Sequence, residues 1–90
     1  MARLKKQRII EANPNIKVFC PQTLNPDKAE KVEIGLDELE ALRLTNIEQL
    51  SQEETASRMG ISRQLVGLML SSARKKITQA LLEGKSIILK

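Results

Sequence analysis

The stretch from Gln52 to Ser71, QEETASRMGISRQLVGLMLS, constrains the chain more tightly than any other. Ala56 is its fifth residue, where two crossing helices need a small side chain between their backbones. Gly60 is ninth, where a chain leaving a first helix adopts a left-handed conformation that costs glycine little. Ile61 and Val66 are tenth and fifteenth, and Met59 and Met69 eighth and eighteenth, all suited to the space between two helices. Ser51 can cap the first helix with Glu54 closing a capping box, and Ser62 can cap the second. This spacing predicts a helix-turn-helix. An ordinary helical hairpin with glycine in its turn satisfies part of the pattern.

Charge is distributed unevenly. The chain of 90 residues has a net charge of +4. Residues 1–17 have a balance of +4, residues 37–54 of −5 and residues 58–90 of +6. Positive charge at the amino end and on the second half of the motif suits a face that meets a polyanion. Opposite charges pairing on solvated helix faces is the other explanation. With one Phe and no Trp or Tyr, the core must be aliphatic.

The chain divides into a basic arm with short strands at 1–35, a helical domain at 36–83 and a final strand at 84–90. Arg3, Lys5, Lys6 and Arg8 form the arm, which suits phosphate contact or serves as a solubilising tail. Ile16 to Cys20 and Lys31 to Ile34 alternate in the manner of strands, and Ile9-Ile10 is a further short candidate. Residues Gln22 to Lys28 read as a loop. A first helix is expected from Glu38 to about Ile47, with Asp37 as cap and Glu40 closing the box. Its apolar residues fall on two sides, Leu39 and Leu42 on one, Ala41 and Leu44 nearly opposite, so it requires two covers.

The last helix is expected from Arg63 to Glu83, ended by Gly84. Val66, Met69, Leu70, Ala73, Ile77, Ala80 and Leu81 make its core stripe, leaving Leu65, Leu68 and Leu82 off it. Ser86 to Leu89 reads as a strand able to pair with the Ile16 or Val32 segment, within one chain or across a dimer. That surplus strand and the two-sided first helix predict a homodimer.

In a helix-turn-helix the amino-terminal part of the second helix enters the major groove of double-stranded DNA. Arg63, Gln64, Gly67, Leu68 and Ser71 are therefore the expected base contacts. Arg can bond guanine, Gln can bond adenine, Gly67 permits close approach, and Leu68 offers only apolar contact. Ser51, Thr55, Arg74 and Lys75, with the arm, are the expected phosphate contacts. A second function class fits as well: a protein-interaction module that docks a partner through exposed Leu65, Leu68 and Leu82.

Other chemistry finds little to build on. Cys20 is the only cysteine and there is no histidine, so a half-buried strand cysteine is expected rather than a metal or haem ligand. Glu38, Glu40, Glu48, Glu53 and Glu54 have no nucleophile, histidine or phosphate loop beside them, and no catalysis or cofactor is expected. No apolar run approaches the length of a membrane span, no signal peptide is expected, and a cytoplasmic location follows as the expectation.

Leu36-Asp37-Glu38-Leu39-Glu40-Ala41-Leu42-Arg43-Leu44, Gln52-Glu53-Glu54, Ile61-Ser62-Arg63-Gln64 and Ser72-Ala73-Arg74-Lys75-Lys76 together resemble the domain of unknown function 134 family, small prokaryotic predicted DNA-binding proteins. Val18-Phe19-Cys20-Pro21 and Gly84-Lys85 are similar to its flanking segments. The resemblance implies a mainly α fold: a three-helix helix-turn-helix like region four of the sigma factors, with short flanking strands, serving transcriptional regulation. Where the family tends to have Thr and Arg, this chain has Leu65 and Leu68.

Overall fold

A computed structural model describes residues 8–22 and 30–90. It is mainly helical, with three helices and a small three-stranded sheet. In chain order the elements are β1 (Val18–Phe19), β2 (Lys31–Ile34), α1 (Leu36–Leu42), α2 (Gln52–Met59), α3 (Arg63–Glu83) and β3 (Ser86–Leu89). The chain widens after α1 into a π-helical turn, Arg43–Ile47.

The last strand lies in the middle of the sheet. β3 pairs antiparallel with β1, Val18 opposite Ile88, and parallel with β2 from Lys31–Ser86 to Ile34–Leu89. Both pairings expected of Ser86 to Leu89 therefore occur together, within one chain. The strand expected over Ile16 to Cys20 shortens to Val18–Phe19. Ile9-Ile10 forms no strand; the Ile9 N–H instead donates to the Met59 carbonyl at 2.9 Å, laying this segment on the end of α2. The loop expected over Gln22 to Lys28 falls almost wholly outside the described residues.

α1 begins two residues earlier than expected, and Asp37 does not cap it. The Gly35 N–H donates to Glu38 Oε1 at 2.9 Å, so Glu38 closes the amino end. The sheet decides the start: Lys90 N–H bonds the Ile34 carbonyl and the Leu36 N–H bonds the Lys90 carbonyl, fixing the chain where it enters the helix. Glu40 closes no box; buried within the helix, it pairs with Arg43 at 2.7 Å. The π turn follows, where the Glu48 N–H reaches the Arg43 carbonyl five residues back. Thr45 Oγ1 donates to the Ala41 carbonyl at 2.8 Å, a local competitor for the helical ladder.

α2 and α3 follow the expected local rules. Ser51 Oγ accepts from the Glu54 N–H and Glu54 Oε1 from the Ser51 N–H, the full capping box. Gly60 leaves α2 at φ 68°, and Ser62 Oγ accepts from the Leu65 N–H to open α3. Gly84 ends α3, also at φ 68°.

The core joins Ala41 and Leu44 to Ala56, Met59, Val66, Met69 and Leu70. Burying a side chain the size of Leu44, Met59 or Leu70 contributes about 2–3 kcal/mol. Two assignments along α3 change. Leu65 packs against the core, partly buried, instead of standing off it. Leu81, expected in the core, is 76% exposed: it lies about 100° round the helix from the buried Ala80, at the edge of an open cleft beside Phe19 and Ile87. The second side of α1 is covered within the chain, but loosely. Leu39 and Leu42 line two apolar clefts of about 430 and 330 Å³, roofed by Ala12 to Pro14 and by Ile16 and Phe19.

Candidate nucleic-acid interface

The surface in question is built by the α2–α3 hairpin. The left-handed turn at Gly60 reverses the chain, and the Ile61 N–H bonds back to the Ala56 carbonyl at 3.0 Å. Ala56, Met59 and Val66 lock the two helices face to face. α3 then runs 21 residues with its inner stripe buried and its outer face free.

That outer face begins at the amino end of α3. Arg63, Gln64, Leu68 and Ser71 are exposed there, and Gly67 is half-buried between them. Leu68 is 69% exposed. Arg74 and Lys75 extend the face by one turn. The structure thus brings together all five expected base contacts and two of the expected phosphate contacts. Among the described residues no carboxylate lies within ion-pairing distance of Arg63, Arg74 or Lys75, whereas Arg43, Arg58, Lys76, Lys85 and Lys90 all have acidic partners.

Ser51 is exposed at the start of α2, although its hydroxyl already accepts the cap bond. Thr55 is a correction. It is 0% exposed, on the inner face of α2, and cannot reach a phosphate in this arrangement. Its hydroxyl finds no hydrogen-bond partner among the described residues. Arg8 is tied to Asp37 at 3.3 Å, at the amino end of α1. Arg3, Lys5 and Lys6 lie outside the described residues.

One residue was missed. Gln52, the first of α2, is exposed, and its Oε1 lies 3.4 Å from where a Cβ on Gly67 would stand. The absent side chain at Gly67 therefore admits Gln52 to the edge of the same face. Its place at the start of the motif, opposite a glycine, was the available signal.

The acidic residues of α1 are internally committed, Asp37 to Arg8, Glu38 to Lys76 and Glu40 to Arg43. Glu40 accepts two bonds from the Arg43 guanidinium, at 2.7 and 3.1 Å, and one from the Glu11 N–H at 2.8 Å. Arg43 holds the Glu40 carboxyl below its usual range against the opposing pull of burial. Burial pushes Glu38 upward, but the Gly35 N–H, the Lys76 ammonium and Ser72 together bring it below that range. Cys20 is a half-buried free thiol. Among the described residues no group of three or more His, Cys, Asp or Glu side chains is placed to hold a metal ion, and no helix is long and apolar enough to cross a membrane.

Fold and site together define a small, mainly helical domain that presents an uncompensated basic helix face beside a small mixed sheet. The chain belongs to the family described as "Protein of unknown function DUF134", which matches residues 1–90. It is 47% identical to a UPF0251 protein of Clostridium novyi over 97% of its length and 59% of the relative's. It is 39% identical to a UPF0251 protein of Prosthecochloris aestuarii, covering 97% of this chain and 56% of that one. A UPF0251 protein of Shewanella halifaxensis is 38% identical, with 99% and 93% covered. The chain thus spans less than two thirds of the first two of these relatives. No solved structure matches it.

Proposed function

We propose that the protein is a sequence-specific, non-enzymatic DNA-binding regulator of transcription, with a helix-turn-helix of the kind found in region four of the sigma factors, acting in the cytoplasm. α3 enters the major groove by its amino-terminal half. Arg63, Gln64 and Ser71 meet base edges there, and Arg74 and Lys75 meet phosphates. The single observation that carries this reading is that Arg63, Arg74 and Lys75 stand exposed along one face of α3 with no carboxylate partner among the described residues, whereas Arg43, Arg58, Lys76 and Lys90 are paired. Cations left free of carboxylates are available for counterion release on a polyanion. We further propose that the protein works as a homodimer, since Leu39 and Leu42 line clefts that one chain leaves open.

The test is enrichment of binding sequences from a random duplex pool by the full chain at low salt, followed by affinity measurement. Binding should weaken steeply as salt rises. Arg63→Ala with Gln64→Ala should lower affinity about tenfold or more, since each good base contact is worth roughly 1–3 kcal/mol. Absence of enrichment, or indifference to the double substitution, would refute the proposal. Sedimentation at micromolar concentration tests the dimer, and a monomeric mass refutes it.

A second reading is favoured by Leu68, Leu81 and Leu82, 69%, 76% and 81% exposed on α3. A protein partner docking on these leucines is the alternative, and it predicts no DNA enrichment at all.

A further inference from the structure

The most anomalous side chain on the proposed groove-facing surface is Leu68. It sits at the centre of that face, with Gln64 one turn before it and Ser71 three residues after. It is 69% exposed, although the core of α2 and α3 is complete without it. Gly67 adds no side chain beside it, so Leu68 stands clear of its neighbours.

We infer that Leu68 is a specificity determinant that reads the methyl group of thymine, and that the target carries a thymine within about two base pairs of an adenine read by Gln64. This rests on the DNA-binding reading above. A leucine side chain neither donates nor accepts a hydrogen bond. Of the groups that base pairs present in the major groove, the C5 methyl of thymine is the apolar one. Against it, leucine buries a methyl and loses nothing.

Against a G·C pair the same leucine strips water from the guanine acceptors or the cytosine amino group and returns no bond. The discrimination is thus attractive toward thymine and repulsive toward G·C.

Gln64 supplies the second half of the argument. It is exposed, and its side chain makes no hydrogen bond among the described residues. Its amide can give adenine a donor and an acceptor together. Residues four apart on a helix lie on one face, one turn or about 5.4 Å along the axis. Base pairs are spaced about 3.4 Å apart. Gln64 and Leu68 therefore reach bases one to two steps apart, an A followed closely by a T on one strand or the other.

The experiment uses the full chain and the best duplex recovered from the random pool. Each thymine of the site is replaced singly by uracil, which keeps the pairing hydrogen bonds and lacks the methyl. One such replacement should weaken binding roughly fourfold, the worth of one methyl leaving water. Leu68→Ala, which alters an exposed residue, should leave the thermal midpoint unchanged and bind the thymine and uracil duplexes equally. A site in which no uracil matters, in which Leu68→Ala keeps the preference, or in which only G·C pairs are selected would overturn the inference while DNA binding itself stands. Failure to enrich any sequence would overturn both.

Discussion

Thr55 looks from its position like a phosphate contact and is in fact sealed inside the hairpin, with a hydroxyl that satisfies no partner among the described residues. A buried hydroxyl without a hydrogen bond costs about 1–3 kcal/mol relative to an apolar group of the same shape. Thr55→Val should accordingly raise the urea-unfolding stability by about 1 kcal/mol and leave DNA affinity unchanged. A fall in stability would show that the hydroxyl is satisfied in solution, and a fall in affinity would return Thr55 to the interface. Its neighbour Ala56 was legible for the opposite reason. A small residue at a helix crossing is required by backbone approach alone, whatever surrounds it.

Elements were legible to the degree that their signals are local. Ser51 with Glu54, Ser62 with Leu65, and the two left-handed glycines act within three or four residues, and all appear where the sequence puts them. The start of α1 was misplaced because Gly35 and Asp37 are both competent to precede a helix, and the choice is made by hydrogen bonds from Lys90, far along the chain. The π turn was illegible because Thr45 and its neighbours carry no periodic mark of a widened helix.

The carboxylates of α1 give this element a pH signature. Glu38 and Glu40 titrate below their ordinary value of about 4.5 in the folded protein. The unfolded chain therefore binds more protons once pH enters that window. Their contribution is full above the ordinary value and is lost as pH falls through the depressed one. The denaturant midpoint should drop as pH falls below the ordinary carboxylate value, and Glu40→Gln should flatten that fall. A midpoint unchanged over this window would mean the two carboxyls titrate normally.

At the scale of the molecule, the candidate interface was largely legible and the sheet was not. An exposed helix face follows from periodicity once the core stripe is known, so Arg63, Gln64, Leu68 and Ser71 could be placed from the sequence. Leu81 and Leu65 could not, because the partners across α3 change along its length, from α1 and α2 beside Val66, Met69 and Leu70 to the sheet beside Ile77. The sheet order β1-β3-β2 joins residues as distant as Val18 and Ile88, and no local pattern encodes it.

Because β3 bonds on both sides, it tolerates proline less well than either edge. Ile88→Pro should cost roughly 3 kcal/mol, which in a domain of this size lowers the thermal midpoint by about 12–24 °C. A shift of only a few degrees would mean that the sheet is incidental to stability.

The position of β3 also has a consequence in time. The ribosome delivers β1 and β2 first, and neither can pair until the strand destined to lie between them has emerged. The helical hairpin, whose partners are close in sequence, is free to settle early. Sheet assembly thus closes the reaction, and a nascent chain halted short of Ser86 holds two orphaned edges open to any stray strand nearby.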